Sequence, residues 1–431
     1  MINLSEQKQK ANNLRKNGNH RDALEIYKML WKESGDKFDG TGLLQCLRKL
    51  SLFDEAITLA DDLIKNYKDF EWCKNEVIWT YIQGIFDKFD KNNQIDKILE
   101  VANKIMLLNP DGLARKKVVF TVLGTAKNHN NWDLVNEWVH KLKPELLSFQ
   151  PMKDDMGRER WCDQAVWYNY YIKGLLEKAD FKEILDKIDD IIAKFPKQKK
   201  FFIRFKAQAL YFSGNLDEAD NLYKSLCKNY KSDWWLFHEY AKVVLSKGRK
   251  EEALQIMYIA ANLNTKYESM VSLLNDIGLL CKELKIYETA LAHFNLCKLI
   301  REERKWSIPE SLNNNIMELN SIIGNKESAL TFKVELAKCK KEWHKVINNA
   351  NSSDKELTNK REVRKNLKGK VKIIGDKPYC FIFTNKKESF FCYRTDLPAN
   401  AADGDEVFFD AEPSFDKKKN KESWKAINIR K

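Results

Sequence analysis

The sequence predicts a multidomain chain of class α plus β: a long α-solenoid of about nine helix pairs, then a small five-stranded β-barrel. Three observations predict it. A sequence unit recurs at intervals near 34 residues through the first four-fifths of the chain. The apolar period changes from helical to two in the last sixty or so residues. Glycine and proline are scarce throughout, 16 and 8 in 431 residues, which favours long stretches of helix.

The repeat comes first. Gly18-Asn-His-Arg-Asp-Ala23-Leu-Glu-Ile-Tyr27 has a near copy at Gly214-Asn-Leu-Asp-Glu-Ala219-Asp-Asn-Leu-Tyr223. Further copies start at Ser51, Gly248, Lys285 and Gly324, placing Ala56, Ala253, Ala290 and Ala329 at the same position. Glycine takes the left-handed conformation that ends one helix. Acidic residues follow in the first turn of the next helix, where the dipole favours them. The alanine allows close approach of the two helices. Weaker copies put Ile98, Val135 and Ile184 at the alanine position. The intervals along this series are 33, 42, 37, 49, 35, 34, 37 and 39 residues, so an insertion is expected before Ile184. Pro110, Pro144 and Pro196 fall where a second helix should stop.

These segments resemble the turn and second-helix start of the tetratricopeptide repeat (TPR). The resemblance implies helix pairs over residues 1–345, stacked into a right-handed superhelix. It also implies a groove for a peptide or protein partner, and some such arrays bind RNA. Trp167, Tyr168, Tyr170 and Trp234 are expected between helices.

The charge is uneven. The chain carries a formal net charge of +13. Residues 333–372 hold thirteen Lys or Arg against five Asp or Glu, a net of +8. Clustered bases point to an acidic partner, with nucleic acid the commonest. The stretch Asn348-Asn-Ala-Asn-Ser-Ser-Asp354 has loop composition, so a helix is expected to end near Val346 and residues 346–368 to form a basic polar linker, either functional or a solvated connector.

Residues 369–431 then read as strands: 370–374, 379–384, 389–393, 406–411 and 424–429, separated by turn signals. Five short strands in this length suit an OB-type barrel. Gly369-Lys-Val-Lys-Ile-Ile-Gly-Asp-Lys-Pro-Tyr-Cys-Phe-Ile382 resembles the opening motif of cold-shock domains, GKVKWFNxxKGYGFI. Ser389-Phe-Phe-Cys-Tyr393 resembles their second motif, VFVHF, and Gly404-Asp-Glu-Val-Phe-Phe409 and Lys425-Ala-Ile-Asn-Ile429 resemble the later strands. The resemblance implies an exposed aromatic platform for bases, ringed by lysines for phosphates. By position the platform is Tyr379, Phe381 and Phe390, with Tyr393 at its edge and Phe383 as an added ring. Lys370, Lys372, Lys377, Lys386, Lys387 and Arg394 supply the charge. Alternation independently puts Tyr379, Phe381 and Phe383 on one strand face. The family's tryptophan is replaced by Ile373, its glycines by Pro378 and Cys380, and its histidine by Cys392. The alternative is that these rings are core, or face the repeat array.

Catalytic signals are weak. No phosphate-binding glycine loop, GxSxG or HExxH occurs. Arg15 and His20 match a ribonuclease spacing, but they lie on the first repeat turn. Nine scattered cysteines without a CxxC, and six histidines without a cluster, predict reduced buried thiols and no metal or other cofactor. No apolar run is long enough to span a bilayer, and the polar first ten residues lack a signal-peptide core, so a cytoplasmic chain is expected. The functional expectation is a non-enzymatic adaptor: single-stranded RNA or DNA on the barrel, and a protein or peptide in the array. The alternative is a pure protein scaffold with a degenerate barrel.

Overall fold

A computed structural model describes residues 4–324, 330–353, 363–375, 377–385, 388–398, 400–416 and 421–431. The chain divides into two compact units, Met1–Lys340 and Lys341–Lys431.

Eighteen α-helices occur among the described residues, and they follow one another as nine pairs. The first four pairs are α1 (Leu4–Lys16) with α2 (His20–Ser34), α3 (Lys37–Lys49) with α4 (Phe53–Tyr67), α5 (Glu71–Gly84) with α6 (Ile95–Leu107), and α7 (Gly112–Asn128) with α8 (Trp132–Val139). Next come α9 (Asp163–Glu177) with α10 (Phe181–Lys194), α11 (Lys199–Phe212) with α12 (Leu216–Asn229), and α13 (Trp234–Ser246) with α14 (Lys250–Asn262). The last are α15 (Val271–Glu283) with α16 (Tyr287–Glu303), and α17 (Glu310–Ile323) followed by α18 (Phe332–Ser353).

The turn between paired helices shows why the sequence repeats. Gly18, Gly214, Gly248 and Gly324, each five residues before an alanine of the series, have φ between 79° and 85°. Ser51, Asn130, Ala179 and Lys285 hold the equivalent positions with φ of 52–61°. The turn therefore demands a left-handed residue whatever its side chain, and glycine supplies it at least cost. The residues five positions on are all buried: Ala23, Ala56, Ala219, Ala253, Ala290, Val135 and Ile184 are fully inaccessible and Ile98 nearly so. Ala329 lies outside the described residues. The α5–α6 connection departs from the rule, running through a single 3-10 turn, Phe86–Lys88.

From α1 to α17 each helix packs on its neighbours in sequence, and several first helices also touch the next first helix, as α1 with α3, α3 with α5 and α9 with α11. The core is thus an apolar layer between successive pairs, unbroken from Ala11 to Ala209, as in a TPR-like α-solenoid. A buried ion pair crosses it: the Arg48 guanidinium donates to Glu76 at 2.7 and 2.9 Å. The long interval before Ile184 is filled by a 3-10 turn at Pro144–Leu146 and a loop closed by one isolated bridge, Lys153–Glu159. Pro196 likewise opens a 3-10 turn directly after α10. Of the four aromatics expected between helices, Trp167 is buried and donates its indole N–H to the Val139 carbonyl at 2.8 Å. Tyr168, Tyr170 and Trp234 are half-buried.

The helix expected to end near Val346 is α18, which continues through the Asn- and Ser-rich stretch to Ser353. Polar residues with modest helix propensity do not stop a helix that no Pro or Gly interrupts. Residues 354–362 of the expected linker lie outside the described residues.

The second unit contains five strands: β1 (Arg364–Ile373), β2 (Tyr379–Phe383), β3 (Ser389–Tyr393), β4 (Glu406–Asp416) and β5 (Lys421–Arg430). They form a closed barrel in the order β1-β2-β3-β5-β4. All pairs are antiparallel except β3–β5, where a short parallel contact at Phe391 and Lys425 completes the cylinder. β1 starts well before Gly369 because a register shift between Arg364 and Leu367, with Asn366 at φ 54°, breaks the alternation there. The barrel core is Val371, Cys380, Ile382, Phe390, Cys392, Val407, Phe409, Ala411 and Ala426.

Candidate nucleic-acid interface

The inward set fixes the outward set, because strand side chains alternate. With Cys380 and Ile382 fully buried, Tyr379, Phe381 and Phe383 stand on the outer face of β2. With Phe390 and Cys392 fully buried, Ser389, Phe391 and Tyr393 stand on the outer face of β3. Register then builds rows across the surface. Tyr379 pairs with Tyr393, Phe381 with Phe391 and Phe383 with Ser389. On the other side, Lys372 pairs with Phe381 and Lys370 with Phe383.

The result is one patch of five rings. Phe381 lies 6.0 Å from Tyr379 and 6.4 Å from Phe383, centroid to centroid. Phe391 lies 5.9 Å from Tyr379 and 5.1 Å from Tyr393. Phe383 and Tyr393 are 44% and 48% exposed, so the ends of the patch present most ring surface.

Phe390 is a correction. The motif comparison puts it on the platform, but it is fully buried and packs edge-on against Phe409 at 5.0 Å. Phe391 takes the outer position instead. A one-residue offset against the motif moves every side chain of a strand to the other face. The signal was present in the sequence: Tyr393 and Phe390 are three apart and cannot share a strand face, whereas Tyr393 and Phe391 can.

The expected cations fall into three groups. Lys370, Lys377 and Arg394 are exposed and make no ion pair among the described residues. The Lys377 ammonium sits 5.7 Å from the Tyr379 ring. Lys372 is exposed but paired with Asp403 at 3.1 Å. Lys386 and Lys387 lie outside the described residues. Two cations beyond the expected set lie over exposed rings of the barrel, one of them in the patch. Lys425 of β5 lies 5.7 Å from Tyr393 and 3.7 Å from Glu412. Lys368 of β1 covers the exposed Phe408 at 5.7 Å and pairs with Glu406 at 3.0 Å. A short turn anchors the patch: the Arg394 backbone N–H donates to the Pro378 carbonyl at 2.9 Å, tying the end of β3 to the start of β2.

Beneath the rings, on the inner surface of the same two strands, the Cys380 and Cys392 thiols lie 3.1 Å apart. Burial, and then the contact with Cys380, push the Cys392 thiol well above its ordinary range, so it stays protonated. All nine cysteines are buried, and none is in a disulfide.

In the array, Arg15 is held in place by packing. It donates to Asn12 at 2.7 Å and to Tyr27 at 3.3 Å, and covers Trp72 at 4.6 Å. Burial first, then Lys49 and Arg15, lower the pKa of His20, keeping it neutral. Among the described residues no group of three His, Cys, Asp or Glu side chains is placed to hold a metal ion. No described helix is long and apolar enough to cross a membrane.

Residues 200–329, from α11 to beyond the end of α17, match the family described as a domain of unknown function, DUF7017. No curated protein matches the chain. Solved structures of tetratricopeptide-repeat proteins are among those similar to the chain. One is a tetratricopeptide repeat protein from Parabacteroides merdae: 12% identity, 73% of this chain and 98% of that one, TM-score 0.27. Another is the TPR2AB domain of yeast Sti1 in complex with pHSP90: 12% identity, 74% and 98% coverage, TM-score 0.25. The third is the TPR domain of P58(IPK): 11% identity, 75% and 98% coverage, TM-score 0.28.

Proposed function

We propose that the protein is a non-enzymatic adaptor whose barrel holds single-stranded RNA or DNA on the outer face of β1–β3 while its helical array recruits a protein partner. The observation that carries the reading is the five-ring patch bordered by Lys370, Lys377 and Arg394, three cations without an internal counter-ion among the described residues. Exposed aromatics in a row need a partner. Bases stack on such rings with little regard to sequence, while lysines follow the phosphates. Nine buried thiols, none in a disulfide, support a reducing compartment, hence the cytoplasm.

The test is fluorescence anisotropy of the full chain with labelled twelve-nucleotide U and T oligomers, single-stranded and duplexed. Binding of single strands in preference to duplex, falling with salt, is expected. A chain that binds neither at low salt is a protein scaffold with an inactive barrel. The pairing of Lys368 and Lys372 with barrel carboxylates favours that second reading.

A further inference from the structure

Three helices of successive repeats converge on a cleft of about 500 Å³ in the first unit. Val166, Asn169 and Lys173 form one stripe of α9, at spacings of three and four residues. Phe201, Arg204 and Phe205 form the matching stripe of α11, and Trp235 closes the far side from α13. Trp161 leans on Phe201 at 5.2 Å, and Phe201 lies nearly parallel to Trp235, 10° between planes and 6.3 Å between centroids. The walls are therefore aromatic and rigid.

The polar groups in this cleft are not equivalent. Arg204 covers Trp235 at 5.1 Å and donates through Nε to Glu239 at 2.8 Å. Beside the lining, Lys200 sits 5.0 Å from the Phe201 ring and is paired with Asp233 at 2.8 Å. Lys173 makes no ion pair and no hydrogen bond among the described residues. Its ammonium lies 5.9 Å from the Phe205 ring, and the charged groups acting on it, Lys127 of α7 and Arg204, are both cations. Burial above all lowers its pKa to about 8. One turn away, the Asn169 amide is also without a hydrogen bond among the described residues.

A half-buried ammonium facing rings and other cations lacks its anion. A free amide beside it offers one donor and one acceptor, the complement of a peptide unit. A phosphodiester strand fits less well, because Glu239 and Asp233 already neutralise the other two cations and would repel a charge at every nucleotide. We propose that this cleft docks an acidic segment of a protein partner, with an Asp or Glu carboxylate on Lys173, the Asn169 amide on the adjoining peptide bond, and a large apolar side chain against Phe201 and Trp235. The proposal rests on reading the array as a protein-docking scaffold.

The probe is the labelled peptide Phe-Glu-Leu-Glu-Phe, with Phe-Gln-Leu-Gln-Phe as its uncharged counterpart, titrated against the full chain. The acidic peptide should bind at least about tenfold tighter. Lys173→Met should abolish that preference, and Lys173→Arg should keep most of it. Equal binding of the two peptides, or a preference that survives Lys173→Met, overturns the proposal. So does loss of U-oligomer binding in Lys173→Met, which would make the cleft a nucleic-acid contact. A displayed random heptapeptide library separates the two levels. Enriched neutral or basic peptides that still bind Lys173→Met would overturn this site and keep the scaffold reading. A folded chain that enriches no peptide would remove both.

Discussion

Phe381 and Phe391 face each other directly across β2 and β3, their ring centroids 6.0 Å apart and their planes at 75°. Each ring holds the other in an edge-to-face contact that limits rotation before anything binds. A planar ligand meeting this pair loses little side-chain entropy in fixing them.

Replacing Phe391 and replacing its neighbour Phe390 should therefore give opposite results. Phe391→Ala is expected to cost about 1–3 kcal/mol of single-strand affinity, the usual worth of one stacked base. Its effect on barrel stability should be small. Phe390→Ala empties the barrel core against Phe409 and should cost about 3–5 kcal/mol of stability. Anisotropy titration reads the first, and hydrogen exchange of barrel amides in the full chain reads the second. A stable Phe390→Ala barrel would contradict the inward placement of that ring.

The three cations without counter-ions should set the salt response. Neutralising one phosphate of a single strand contributes about 0.7 to the slope of log affinity against log salt. Changing Lys370, Lys377 and Arg394 together to Ala should lower that slope by about 2. Lys372→Ala, which also frees Asp403, should lower it by less per residue than the other three. Identical slopes for wild type and the triple variant would place the phosphate contacts elsewhere.

Gly369 should tolerate no side chain. A Cβ there would come within 2.7 Å of Ile382 Cγ2 and 2.8 Å of the Phe383 carbonyl oxygen. The second contact is backbone and cannot rotate away, so β1 and β2 must part beside the Lys370–Phe383 pair. Gly369→Ala is expected to destabilise the barrel by about 1–3 kcal/mol, and to weaken oligonucleotide binding by moving Phe383. Gly375→Ala, where the added Cβ meets open space at φ 46°, should cost only about 1–2 kcal/mol from backbone conformation. Faster amide exchange along β2 in the first variant alone is the diagnostic result.

Lys173 gives a stability effect with a definite sign. Its pKa in the folded chain, about 8, lies below the ordinary 10.5, so the folded state loses its proton first as pH rises. Between about pH 8 and pH 10.5 the unfolded chain binds more protons, and stability due to this group increases with pH. Below that window the charged lysine is a net cost, which solvent screening holds to about 1–2 kcal/mol. Lys173→Met should thus melt higher than wild type at pH 7, with the gap closing by about pH 10.5. A gap independent of pH would assign the effect to packing rather than to the charge.

Much of this architecture is written locally and was legible. The turn glycine and the alanine five residues later each answer a steric demand of one helix pair, and Ser51 and Lys285 show the demand persisting where glycine is absent. The outer face of β2 followed from alternation alone. Other features needed the assembled structure. The cold-shock resemblance points Phe390 outward, whereas strand parity with Tyr393 points it inward, and the core contact with Phe409 follows parity. The start of β1 was hidden by the irregularity near Asn366. The cleft around Lys173 joins residues from α9, α11 and α13, and no periodicity within one helix reveals that a lysine on one will face tryptophan and phenylalanine from the next two.

The parallel contact between β3 and β5 gives the two units different kinetic characters. The array is assembled from neighbours in sequence, so any helix pair can form early and template the next. The barrel cannot close until two distant pairings are made, β4 on β1 and Lys425 of β5 on Phe391 of β3. Loop closure on that scale is the slow step of β topologies. The aromatic surface is therefore completed late: until the final strand arrives, the rings of β3 sit on an unpaired edge, where another chain could add itself in place of β5.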